Sequence, residues 1–208
     1  MTTMRTVTTI SELADLIDST LSARIVGVVG EPGSGKSTVT QELSALLTRD
    51  HVVIPMDGFH YPQATLRTLG RRDRMGAPDT FDAQELASRL GEVRSRQHDV
   101  SFPDFDRTVE ERIVPDSLHI PATTDLILIE GNYLLHDQDG WESVREFIDF
   151  SIYVDTDEDV RLERLFTRHV TFGKDPDSAR LWMESVDGPN ADLIRPTQQR
   201  ADVVFRYH

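Results

Sequence analysis

The chain has 208 residues, 38% of them hydrophobic and 28% charged, an ordinary globular composition with enough length to bury one substantial core. Its formal net charge of −14 repels polyanions, which excludes nucleic acid as a partner, and the absence of cysteine excludes disulfides, thiolate metal sites and cysteine nucleophiles. No apolar stretch approaches the roughly 20 residues a bilayer crossing needs. The opening MTTMRTVTTI also lacks the apolar run of a signal peptide, so a cytoplasmic protein with no membrane contact is expected.

Thr9-Ile10-Ser11-Glu12 reads as a capping box, and Ile10, Leu13, Leu16, Ile17 and Leu21 recur at helical spacing, which predicts an amphipathic helix ending before Arg24. Arg24–Val29 (RIVGVV) reads as a strand, a glycine-rich turn follows, and Ser37–Arg49 returns to helical periodicity through Val39, Leu43, Leu46 and Leu47. His51–Met56, Asp125–Ile129 and Asp149–Val154 are continuous apolar runs of the kind found in parallel strands covered on both faces. Tyr61–Thr80 is polar, arginine-rich and punctuated by glycine and proline, a long loop or short helix beside a site. Helical patterns occupy Asp82–Arg96 and Asp157–Val170, and Asp202–Tyr207 supplies a last strand. This alternation predicts an α/β fold, a three-layer doubly wound parallel sheet, and with no repeat or linker residues 1–208 read as one domain.

Gly30-Glu31-Pro32-Gly33-Ser34-Gly35-Lys36-Ser37 matches G-x-x-x-x-G-K-[ST] between a predicted strand and a predicted helix. In that setting, successive backbone N–H groups and a helix N-terminus face one phosphate chain. The alternative is a glycine-rich turn with a surface lysine. Nucleotide binding by Gly30, Gly33, Ser34, Gly35, Lys36, Ser37 and Thr38 is expected, with Lys36 bridging the β- and γ-phosphates of ATP and Ser37 ligating Mg²⁺. Lys36 and Lys174 are the only lysines, and every other cation is arginine.

A GTPase is excluded by the lack of Asn-Lys-x-Asp, and an ABC-type ATPase by the lack of Leu-Ser-Gly-Gly. Asp57, at the carboxyl end of a strand, is the candidate base for a hydroxyl acceptor, or else the cap of a turn before Gly58. Glu130 ends a buried strand beside the expected Mg²⁺ position and reads as a metal ligand, or else as a solvated carboxylate. Arg161, Arg164 and Arg168 share one face of a helix and close over phosphates, or else line a solvated face; Arg164 and Arg168 are taken as catalytic.

With these residues and Asp57-Gly58-Phe59-His60, the chain resembles, over nearly its whole length, the family of phosphoribulokinase, uridine kinase and bacterial pantothenate kinase. Asp155-Thr156-Asp157 with Arg161, Arg164 and Arg168 is similar to the uridine kinase lid helix, which implies a helical lid around residues 157–187. Met56–His60 is closer to pantothenate kinase, where the matching aspartate is the base. Pro103-Asp104-Phe105-Asp106 with Arg112 is similar to the acceptor segment of uridine kinases, which implies acceptor contacts at Asp57, His60, Phe105, Arg107 and Arg112. Phe105 lacks the phenolic hydroxyl of that segment and Glu110 replaces its base-contacting histidine, departures that speak against a pyrimidine nucleoside. Arg67, Arg71, Arg72 and Arg74 meet an anionic acceptor or form a solvated loop. Gly76–Asp82 and Asp187-Gly188-Pro189-Asn190 resemble a bacterial branch linked by label to nucleoside kinases or fructose transport, and by that resemblance Asn190 lies near the adenine. The expectation is an ATP- and Mg²⁺-dependent kinase for a hydroxyl of a sugar, nucleoside or pantothenate-like alcohol. A nucleoside monophosphate kinase, a non-catalytic ATP-binding regulator of a sugar transporter and a homodimeric state stay open.

Overall fold

The computed structural model describes residues 5–207; residues 1–4, part of the stretch read for a signal peptide, and residue 208 lie outside the described residues. In chain order the first half runs β1 (Arg5–Val7), α1 (Ile10–Ser19), β2 (Ile25–Val29), α2 (Lys36–Leu46), β3 (His51–Pro55), α3 (Gln63–Thr68), α4 (Ala83–Ser95), β4 (Val100–Asp106) and β5 (Glu111–Ile120). There follow β6 (Leu126–Glu130), α5 (Trp141–Arg145), β7 (Phe150–Asp155), α6 (Glu158–Thr171), α7 (Pro176–Trp182), α8 (Gly188–Ile194) and β8 (Val203–Arg206).

Six strands form one parallel sheet in the order β1-β8-β7-β2-β6-β3. Successive strand residues point to opposite faces, so each β-branched strand feeds two cores. Ile25, Val29, Ile127 and Ile129 pack with Leu86, Leu90 and Val93 of α4 and Trp141 and Val144 of α5. Val26, Val28, Leu126 and Leu128 pack on the other side with Leu13 and Ile17 of α1 and Val39 and Leu43 of α2. The result is the expected three-layer arrangement, in which each buried Val, Leu or Ile contributes about 1.5–3 kcal/mol. One half of the predicted capping box is present at the start of α1, where the Thr9 hydroxyl accepts from the Glu12 amide at 3.3 Å, while the Glu12 carboxylate pairs with Arg5 at 3.4 Å.

Two features depart from the sequence reading, and a third, the short helix in the arginine-rich stretch, accords with it. β4 and β5 form a separate antiparallel hairpin, hidden in sequence because β5 is polar and solvent-facing along most of its length. The lid region is two helices, α6 and α7, separated at Gly173 (φ 97°), and it continues through a π-helical turn, Met183–Asp187, into α8. The arginine-rich stretch holds α3 and two short 3₁₀ turns, Arg72–Arg74 and Pro78–Thr80.

Candidate active site

The loop between β2 and α2 turns on Gly33 and Gly35, at φ 83° and 89°, a region that favours glycine. A Cβ on Gly33 would also lie 2.5 Å from the Arg161 carbonyl, so α6 packs directly on the loop. Lys36 opens α2 and its ammonium donates to the Gly30 and Glu31 carbonyls, both at 2.9 Å. Burial pulls the Lys36 ammonium down to about 8, against the attraction of Glu130. The Ser34 hydroxyl is buried and without a partner, while its amide donates to the Glu31 carbonyl at 3.1 Å and its carbonyl accepts from the Thr156 hydroxyl at 2.8 Å, so among the expected nucleotide-binding residues Ser34 braces the loop and does not line the cleft.

β2, β6 and β3 are neighbours in the sheet, and their carboxyl ends bring Lys36, Glu130 and Asp57 to one edge. Adjacent strands are roughly 4.8 Å apart, so the loop and Asp57 are separated by about two strand spacings. All three line one cleft of about 500 Å³ with Gly33, Gly35, Ser37 and Thr38. Burial raises the Glu130 carboxyl above the usual range, opposed by the Ser37 hydroxyl and Lys36, and Glu130 Oε2 is buried with no partner. An orphaned carboxylate oxygen beside a serine hydroxyl fits a hard divalent cation such as Mg²⁺. No cluster of three His, Asp or Glu side chains occurs among the described residues, in keeping with an ion that takes its other ligands from phosphate and water.

Asp57 sits in a 3₁₀ turn, Met56–Phe59, and is ion-paired to Arg107 from the β4–β5 turn. Burial pushes its carboxyl up, but Arg107, with His60, Arg168 and Lys36, outweighs this and holds it below the usual range. His60 donates through Nδ1–H to the Asp57 carbonyl, 2.8 Å away, and lies between the rings of Phe81 (3.8 Å) and Phe105 (4.8 Å). Burial lowers the His60 imidazole below its ordinary value, which keeps it neutral.

The sequence profile of the phosphoribulokinase/uridine kinase family matches residues 25–208, from the first core strand through the whole site. The chain belongs to that family. Among similar proteins, Escherichia coli (strain K12) YggC, uncharacterized, is 32% identical, across 88% of this chain and 80% of its own length. A pantothenate kinase from Shewanella denitrificans is 30% identical, across 89% of this chain and 69% of its own. A solved structure described as a fructose transport system kinase from Silicibacter sp. TM1040 is 32% identical and superposes with a TM-score of 0.84, covering 95% of this chain and 99% of the other. This phosphoribulokinase/uridine kinase family member is thus a P-loop kinase by fold and by lineage.

In this family member the three arginines of α6 have separate fates. Arg161 is buried under the loop, where it donates to the Pro32 carbonyl at 3.0 Å and pairs with Glu31 at 3.3 Å, so it holds the loop and does not face the cleft. Arg164 stacks on the Tyr207 ring at 4.9 Å with Nη1 buried and without a partner. Arg168 lines the cleft, its guanidinium lowered by burial and by neighbouring Arg107.

Arg112 is not an acceptor ligand: two bonds to Glu85, at 2.6 and 2.9 Å, and one to Asp116 at 3.1 Å hold it against α4, outside the cleft. Nor does the arginine-rich loop present an anion site, because Arg71 and Arg74 are paired with Asp79, Arg72 with Glu110, and Arg67 is bonded to Gln63. Asn190 lines the same cleft, where its amide donates to the Gly76 carbonyl at 3.2 Å, an oxygen that also takes the Tyr133 hydroxyl at 2.7 Å. Sequence reasoning passed over His169 and Trp182, and named Asp187 only as part of a resemblance; all three line the same cleft. For His169 and Trp182 the available signal was their place on the helical stretches either side of Gly173.

Proposed function

We propose that the protein is an ATP- and Mg²⁺-dependent kinase that transfers the γ-phosphoryl group to a hydroxyl of a small metabolite. The convergence of Lys36, Glu130 and Asp57 at the carboxyl ends of three adjacent strands carries this reading. Protonated Lys36 exchanges its two loop carbonyls for the β- and γ-phosphate oxygens, while the amides of the cleft-lining residues Gly33, Gly35, Lys36, Ser37 and Thr38 serve the phosphate chain. Glu130 and Ser37 hold Mg²⁺, which when bound neutralises charge on the phosphate oxygens.

Arg164, its unpartnered Nη1 set against Gly35, and Arg168 supply cations to the transferring group. Asp57 takes the proton of the acceptor hydroxyl as the new O–P bond forms and the bond between the γ-phosphorus and the β–γ bridging oxygen breaks, releasing ADP. An alcohol acceptor is favoured over a nucleoside monophosphate, because the arginines that would grip a second phosphate at residues 67–74 are already paired.

Turnover of Asp57→Asn on the acceptor found in a panel of sugars, nucleosides and hydroxy acids tests the assignment. A fall in kcat of about a hundredfold or more, with ATP·Mg affinity unchanged within about threefold, is expected. Turnover within about threefold of the parent removes Asp57 as base, and ATP·Mg binding with no transfer to any alcohol supports a regulator instead.

A further inference from the structure

Two cations line the cleft from separate elements of the chain. Arg107 projects from the turn that joins β4 to β5, and Lys174 from the break between α6 and α7. Arg107 meets Asp57 Oδ2 through one nitrogen of its guanidinium and makes no other side-chain bond among the described residues, though the group carries five donors. Lys174 stands 3.6 Å from Glu110 Oε1 and 4.6 Å over the Trp182 ring. The other oxygen of Glu110 is already held closely by Arg72, so Lys174 shares its counter-ion. Arg168 faces the same space, feels the charge of Arg107, and has no ion pair among the described residues.

If the acceptor hydroxyl takes the place of Arg107 on Asp57, the guanidinium loses its only carboxylate in a half-buried cleft opposite a second guanidinium. Leaving one member of such a pair unmatched is more costly than exchanging it for another anion. The molecule that arrives at that moment is the acceptor itself.

We propose, building on the kinase reading above, that the acceptor is a hydroxy compound bearing a carboxylate or phosphate, with that anion held by Arg107 and Lys174 while the hydroxyl lies on Asp57. The anion replaces Asp57 as the partner of Arg107 and frees the base for the proton it must accept. Arg107 therefore selects the acceptor and exposes the base in one exchange.

Calorimetry on the protein loaded with a non-hydrolysable ATP analogue and Mg²⁺ tests this with matched probes: glycerate against glycerol, gluconate against glucitol, and fructose 6-phosphate against fructose. A charged probe should bind about thirtyfold or more tightly than its neutral partner, and the class preferred identifies carboxylate or phosphate. Arg107→Gln and Lys174→Gln should each bring that ratio within about threefold, with Arg107→Lys keeping part of it. No charged preference in any pair, or a preference that survives Arg107→Gln, overturns the proposal. Phosphoryl transfer to a neutral alcohol overturns it while leaving the kinase reading intact; failure of the parent to bind ATP·Mg removes both.

Discussion

Lys36 is a buried ammonium held by two carbonyls of its own loop, with its pKa pulled down to about 8. Phosphate binding favours the charged form, so the bound-state value is higher than the free one. Below about pH 8 the free lysine is already protonated and binding takes up no proton there; above it, binding recruits one, and the ATP·Mg association constant falls by up to tenfold per pH unit. Calorimetry in two buffers of different ionisation enthalpy should register an uptake approaching one proton above pH 8; no uptake there refutes the coupling. Lys36 was readable because its motif fixes its role. Arg161 and Arg168 were not separable, since helical spacing gives a shared face and says nothing about which part of that face is covered by the loop. Removing the buried Arg161, as Arg161→Leu, should destabilise the fold by about 1–3 kcal/mol, since Glu31 would keep the half-exposed Arg195 and the Tyr153 hydroxyl but lose its buried partner; a denaturant midpoint close to the parent's contradicts this.

Asp57, the proposed base, is carried by a short turn, and that turn leans on the hairpin. A Cβ on Gly58 would sit 2.2 Å from the Pro103 carbonyl oxygen of β4, a backbone atom with no room to yield. Gly58→Ala should therefore cost about 1–3 kcal/mol of stability by urea unfolding and lower turnover further, because Asp57 and Arg107 shift relative to each other. Unchanged stability would mean that the hairpin gives way freely. The buried strands β2, β3, β6 and β7 were legible to within one or two residues, their apolar runs being covered on both faces. β4 and β5 were not, since a two-stranded ribbon wet on much of its surface has no such run, and the acceptor contact at Arg107 was placed by resemblance alone. Arg112 failed for the same reason: nothing in its spacing reveals that Glu85 and Asp116 are in reach.

At the scale of the molecule, the cleft is a cationic pocket in a protein of net charge −14. Ligand binding to the native state alone stabilises it, so ATP·Mg at a hundred times its dissociation constant adds about 2.7 kcal/mol. For a domain of this size that corresponds to a rise in Tm of roughly 5–10 °C, which should shrink below about 2 °C at the same ATP concentration in Lys36→Ala. Equal shifts in both would sever Lys36 from nucleotide binding. Sheet order was not legible from strand candidates, and it matters here: β8 lies between β7 and β1, with Val203 opposite both Ile152 and Arg5. Tyr207, just beyond β8, is the ring under Arg164 and against Gly35. The β1–β8 pairing thus joins strands separated by most of the chain, a non-local contact whose loop-closure cost falls late in folding. A chain truncated before β8 would expose one side of β7 and remove the ring that supports Arg164, so the far strand of the sheet also sets the geometry beside the glycine-rich loop.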